Sequence, residues 1–267
     1  MNIAFWSNVA GKSATSSNML AVSTMTSLLY SLKVILLQLD YCSKSIDSVL
    51  EGKKEGLILN DNFSYYNQKG IDDLFDKIKL NNISEDDVVD NMINVKDTSM
   101  YYIPTSKQIC LDIEENSKNT EILMKLIADI GDINFIDSIN GSGEISRKVL
   151  KNADVIVCNL HQGYEEALEI LENEKLLRKT VFLVGRYDSE SKENIASIRK
   201  KYGIKKELIA VIPYNIRYHD SVQEGKIINF ISKNIYSKKS DANFDFINNL
   251  FYATNMILKK AGYNEAD

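Results

Sequence analysis

The chain is short of the residues that stiffen, cross-link or anchor a protein. Among its 267 residues are two prolines (Pro104 and Pro213), three cysteines, two histidines and one tryptophan. With no Gly/Ser/Pro-rich stretch there is no visible linker, and a single domain spanning 1–267 is expected. Cys42, Cys110 and Cys158 form neither a disulfide framework nor a metal-binding spacing, as expected in a reducing cytosol. His161 and His219 stand apart from any metal cluster or nucleophile–base pair. No apolar run nears the ~20 residues that a membrane-crossing helix needs. The opening residues read as a strand, not as a basic segment followed by an apolar signal, so a cytoplasmic address is expected.

Positive charge is also in deficit. A net charge of −5 argues against nucleic acid bound over the whole surface. The one basic run, Arg199-Lys200-Lys201 with Lys205-Lys206, reads as a solvated helix end in preference to a DNA contact.

What the sequence does contain is alternation. Short apolar runs suited to buried strands occur at Ile3-Ala4-Phe5-Trp6, at 34–40, at Tyr101-Tyr102-Ile103, at Asn134-Phe135-Ile136-Asp137, and at 155–158, 181–184 and 209–212. Between them lie helical patterns. Met19, Val22, Met25, Leu29 and Leu32 mark the first, and others fall at 71–78, 85–92, 120–130, 164–176, 192–202, 221–235 and 244–260. Such alternation predicts an α/β fold, a doubly wound and mainly parallel sheet of about seven strands flanked by helices. Ligands of such sheets sit at the carboxyl ends of the strands. The stretch from Ser7 to Ser13, Asp40, Asp137 and Arg186 all belong there.

The turn after the first strand reads Ala10-Gly11-Lys12-Ser13 and leads into a helix near Thr15. Gly-Lys-Ser between strand and helix suits a phosphate: backbone N–H groups point at the anion, the lysine neutralises it, and the hydroxyl holds Mg²⁺. Lys12 would meet the outer phosphates and Ser13 the cation. The alternative makes Lys12 a solvated residue at the helix start and Ser13 its cap. Asp137 has the place of the acid that holds Mg²⁺ through water, or else it caps the following turn. Asp40 would position an attacking water or help fix the cation, or else simply end its strand. Arg186 and the Pro213-Tyr214-Asn215 turn could flank a base. The apolar residues of 244–260 read as a helix packed on the sheet, because its polar face lacks the Lys/Arg that anionic lipids attract.

In order, Phe5-Trp6-Ser7-Asn8-Val9-Ala10-Gly11-Lys12-Ser13, Ser17-Asn18-Met19, Phe135-Ile136-Asp137-Ser138, Ala153-Asp154-Val155-Ile156-Val157, Gly185-Arg186-Tyr187-Asp188 and Ile212-Pro213-Tyr214-Asn215 resemble the MinD/ParA superfamily of deviant Walker A ATPases. The similarity is strongest to its TadZ/CpaE-like pilus-localisation branch and spans nearly the whole chain. The resemblance implies ATP and Mg²⁺ as ligands and a nucleotide-dependent homodimer with slow hydrolysis. It also implies a protein partner from a localisation, secretion or conjugation system, or DNA, and a site of action in the cytoplasm, at the membrane periphery or at a cell pole. It assigns Lys12 and Asp40 to catalysis, Ala10, Gly11, Lys12, Ser13, Ala14, Arg186, Pro213 and Tyr214 to the nucleotide, and Ser13 and Asp137 to the metal.

The signature loop of that family, Lys-Gly-Gly-x-Gly-Lys-Thr-Thr, is eroded here. Aligned on Lys12, its first lysine falls on Ser7, its first two glycines on Asn8 and Val9, and its last threonine on Ala14. The Asp-x-Asp of the second strand becomes Gln38-Leu39-Asp40, and Gly185 stands where an asparagine commonly precedes the arginine. Losing one electrostatic donor of this type costs about 10²–10³ in rate, so nucleotide binding is expected to outlast turnover. A catalytically silent scaffold is the second reading. A small-molecule kinase ranks last, because residues 51–97 contain no arginine for a lid.

Overall fold

Strands form where β-branched and aromatic residues run together, and the computed structural model shows how they associate. It describes residues 1–39, 45–50, 69–105, 113–163 and 169–263. The strands are β1 (Asn2–Trp6), β2 (Val34–Gln38), β3 (Ile93–Asn94), β4 (Met100–Ile103), β5 (Ile133–Asp137), β6 (Val155–Leu160), β7 (Thr180–Tyr187) and β8 (Ile209–Pro213). They make one sheet in the order β3-β4-β2-β5-β1-β6-β7-β8. All pairings are parallel except β3 with β4. The sheet therefore has eight strands where about seven were expected. The addition is β3, too short at two residues to show a period in the sequence.

Alternate residues of each strand enter different cores. Ile3, Phe5, Leu36, Phe135, Val157 and Leu183 face the helices α1 (Thr15–Leu29), α11 (Ile227–Asn234) and α12 (Phe244–Lys260). Ala4, Trp6, Leu37, Ile136, Cys158 and Phe182 face α3 (Ile71–Lys79), α5 (Ile113–Ile130), α6 (Glu144–Asn152) and α9 (Ile195–Tyr202). The doubly wound expectation holds. Cys158 is buried in the second core, as a small apolar residue would be.

Helix limits differ from the sequence pattern where turn chemistry intervenes. The pattern over 221–235 divides into α10 (Ile216–Glu224) and α11, because Gly225 takes φ +69° and ends the first helix. Asn215 begins α10 by accepting the Tyr218 N–H at 2.9 Å. Leu32 lies beyond α1, which ends at Leu29. α5 starts well before 120. The helix α6 was not expected: its Ile145, Val149 and Leu150 form an apolar face over only nine residues, directly after a glycine-rich turn. The expected 164–176 helix falls partly outside the described residues; within them are α7 (Glu169–Glu172) and α8 (Glu174–Leu177).

Two further helices complete this account, α2 (Ile46–Leu50) and α4 (Glu85–Asp90). α12 packs against β8 and α1 with Phe246, Leu250, Ile257 and Leu258 buried, as expected of a sheet-covering helix. Among the described residues no helix is long and apolar enough to cross a membrane.

Candidate nucleotide site

The parallel connections bring the carboxyl ends of β1, β2, β5 and β7 to one edge, and with them most of the residues singled out from the sequence. Trp6 ends β1, and the turn that follows runs from Ser7 to Ala14. Ser7 is fully buried, and its hydroxyl donates to the Val9 carbonyl at 2.7 Å. Its side chain is thus tied inside the loop, where a lysine in its place would extend.

Ala10, Gly11 and Lys12 are exposed. Gly11 takes φ +76°, which glycine adopts without steric cost. Ala14, directly before α1, has φ 54° and ψ 33°. A non-glycine residue there carries about 1–2 kcal/mol of strain. Lys12 and Ser13 therefore lie in the turn and not in the first helical turn. The backbone N–H groups of Val9, Ala10, Gly11 and Ala14 donate to no described residue. Ser13 Oγ is buried and likewise has no hydrogen-bond partner. Leaving such a hydroxyl unmatched costs about 1–3 kcal/mol, and a ligand at this point would satisfy it.

Asp137 closes β5 and is 1% exposed. Its register partners are Phe5 on β1 and Gln38 on β2. Gln38 Nε2 donates to Asp137 Oδ2 at 3.1 Å. Asp40 lies outside the described residues, so its candidate role has no structural account here. No group of three or more His, Cys, Asp or Glu among the described residues could hold a metal alone. Any cation here would therefore share Ser13 and Asp137 with oxygen ligands from a bound phosphate.

A small cleft of about 120 Å³ opens beside the loop, lined by Ala14, Asn18, Arg186, Pro213, Tyr214 and His219 among others. Arg186 reaches it through a bulge. Val184 pairs with Val211, but Tyr187 pairs with Pro213, leaving one extra residue in β7. Arg186 is exposed and sits at φ 50° within this bulge. Tyr214 is 54% exposed at the cleft mouth. The cleft is small because Tyr218 and Phe246 stack beneath it at 4.7 Å. The Tyr218 hydroxyl donates to the Ser17 carbonyl at 2.6 Å, and burial pushes its pKa up. A larger cleft of about 860 Å³, containing Phe251 and Tyr252, lies at the amino ends of β7 and β8, away from this chemistry.

Of the residues that hold the loop, Asn159 carried no signal in the sequence. Asn159, buried in β6, donates to the Trp6 carbonyl at 3.2 Å and accepts from Asn18 Nδ2 at 2.8 Å. Asn18 Nδ2 also donates to the Ser13 carbonyl at 3.2 Å. The indole of Trp6 donates to the Gly141 carbonyl at 2.9 Å, and Gly141 N–H returns a bond to Ser7 at 3.0 Å. The loop after β5 is thereby stitched to the loop after β1. Trp6 and Asn18 belonged to recognisable motifs; an asparagine in mid-strand, such as Asn159, has no periodic signature.

No protein-family model matches the sequence, and no curated protein matches it. Solved structures do. A ParA family ATPase from Chlorobium tepidum superposes with a TM-score of 0.67 at 14% identity, over 95% of this chain and 96% of that one. McdA from Cyanothece, in a complex with ATP, gives 0.68 at 12% identity, over 100% and 98%. The septum site-determining protein MinD from Pyrococcus horikoshii, with Mg-ADP, gives 0.62 at 15%, over 98% and 97%. The fold is that of the ParA/MinD ATPases. At these identities the ParA/MinD likeness describes architecture, and it does not single out the TadZ/CpaE branch.

Proposed function

We propose that this chain, as one domain, binds ATP with Mg²⁺ and acts as a nucleotide-gated dimeric switch that positions a partner assembly, with slow or impaired hydrolysis. One observation carries the reading: the Val9, Ala10, Gly11 and Ala14 amides, which donate to no described residue, the unpartnered Ser13 hydroxyl, Asp137 and the Arg186–Pro213–Tyr214 cleft share one edge of a ParA/MinD sheet. Lys12 and the turn amides would hold the phosphates. Ser13 and Asp137 would hold the cation, whose chemistry is to neutralise phosphate charge. Arg186, Pro213 and Tyr214 would enclose the base.

The relatives of known structure with ATP and with Mg-ADP fit this assignment. Slow turnover is argued from the loop itself. Ser7 supplies no charge across a dimer, and its hydroxyl is committed to Val9. The partner is a component of a localisation, secretion or conjugation system, met in the cytoplasm or at a membrane or pole; DNA is the lesser candidate.

Equilibrium titration with an ATP analogue, with and without Mg²⁺, tests the proposal. Binding tightened by Mg²⁺ is expected. Absence of binding at millimolar nucleotide, in both the wild type and Ser7→Lys, would sink it. The left-handed Ala14 in place of a regular helix start favours a second reading, a scaffold that never turns nucleotide over. In that case Lys12→Ala leaves dimerisation and partner binding unchanged, whereas loss of nucleotide-dependent dimerisation in Lys12→Ala rejects it.

A further inference from the structure

Gln38 occupies a position where the resemblance leads one to expect an acid, and its hydrogen bonds define what the amide does there. Gln38 and Asp137 are register partners at the ends of β2 and β5, each 1% exposed. Gln38 Oε1 accepts from the backbone N–H of Ile46 at 2.9 Å, at the first residue of α2. A backbone N–H can only donate, so the atom facing it must be the amide oxygen. The NH₂ group is thereby turned toward Asp137, to whose Oδ2 it donates at 3.1 Å.

The surroundings hold this arrangement in place. Leu39 N–H donates to the Asp137 carbonyl at 2.9 Å. Ile46 is fully buried, and beside it Ser45 meets Thr105 at 2.8 Å while Asp47 accepts from Thr105. A carboxylate at position 38 would still accept from Ile46. Its second oxygen, however, would place a like charge against Asp137, a contact that two ionised acids avoid.

We propose that Gln38 is a positioning residue for the cation site: its amide aims the Asp137 carboxylate without adding a charge of its own. The inference rests on the nucleotide-binding reading above and deepens it. Partners of this kind, behind a metal ligand, typically change metal affinity by about 10–100-fold when removed.

The test is Mn²⁺ affinity of the ADP complex, read by electron paramagnetic resonance, for wild type, Gln38→Leu and Gln38→Glu. Gln38→Leu is expected to weaken Mn²⁺ binding to the ADP complex by about 10–100-fold, with affinity for ADP in chelator unchanged. Gln38→Glu keeps the acceptor for Ile46 and is expected to bind Mn²⁺ more tightly than wild type in the ADP complex. Wild-type Mn²⁺ affinity in a cooperatively folding Gln38→Leu, or in Gln38→Glu, would overturn the proposal. If Gln38→Leu does not fold, Gln38→Glu decides alone. Failure of wild type to bind ADP at all would remove the nucleotide reading, whereas ADP binding with Mn²⁺ affinity unaltered in the variants would overturn the role of Gln38 alone.

Discussion

Gly185 lies so close to Ser13 that a Cβ on it would stand 2.6 Å from the Ser13 carbonyl oxygen and 2.5 Å from Asn18 Nδ2. The strand carrying Arg186 and the loop carrying Lys12 therefore meet through a bare Cα, because backbone and a hydrogen-bonded amide leave no room. Gly185→Ala is expected to push the loop away from β7. The cost is about 1–3 kcal/mol of overpacking, together with weaker nucleotide binding. Chemical denaturation and analogue titration check both; a variant unchanged in both would show that the contact relaxes freely.

Ser13→Ala separates binding from stability. Ser13 Oγ is buried without a partner, so its removal should leave the melting temperature unchanged or raised. The gain in nucleotide affinity on adding Mg²⁺ should disappear. A clear loss of thermal stability would mean that the hydroxyl serves the fold.

Asn159 joins β6 to the nucleotide loop through Asn18. Asn159→Leu leaves the buried Asn18 amide and the Trp6 carbonyl each short of a partner, at a cost of about 1–3 kcal/mol for each group. Urea unfolding should reveal the destabilisation. Full stability would indicate that a water or a repacked side chain replaces the relay.

Trp6, the only tryptophan, is 3% exposed and bonded to Gly141. Its emission should be that of a buried indole and should change when nucleotide enters the adjoining loop. In Trp6→Phe the tie to Gly141 is absent, and binding should weaken modestly. Emission unaltered by saturating nucleotide would place the ligand elsewhere.

Lys77 on α3 donates to Asp87 on α4 at 2.8 Å. That bond, with further bonds from Ser84, holds the Asp87 carboxyl down at about 2. A carboxyl with a lowered folded pKa stabilises above its ordinary value of 3.8, and its contribution fades as pH falls toward 2. Because the pair is only half-buried, salt should weaken it. Lys77→Met should return Asp87 toward its ordinary titration, measured by nuclear magnetic resonance. A wild-type Asp87 titrating near 3.8 would contradict the bond.

The architecture was legible because apolar runs and helical spacing report burial directly, one strand or helix at a time. Ile3 to Trp6 and Phe135 to Asp137 announced both a strand and the side on which its ligand would sit. The candidate site was legible in outline from Lys12, Ser13, Asp137, Arg186 and Pro213, whose positions follow from topology alone. What stayed hidden depends on contacts between distant segments. Gly185 appeared as a missing asparagine, and only the approach of Ser13 explains why a glycine belongs there. Gln38 looked like a lost acid until its bonds to Ile46 and Asp137 were seen. α6 was obscured by the glycines before it, and β3 by its brevity.

That two-residue β3 has a consequence for how copies of the chain can associate. It runs against the direction of its neighbour and exposes Asn94, so the sheet ends there in a stub with few unsatisfied amides. Among the described residues, strand-to-strand extension into filaments finds only this two-residue template on that flank. Self-assembly that uses this flank must proceed through side-chain surfaces, which a ligand can switch on and off, and not through continuous backbone pairing, which it could not readily reverse.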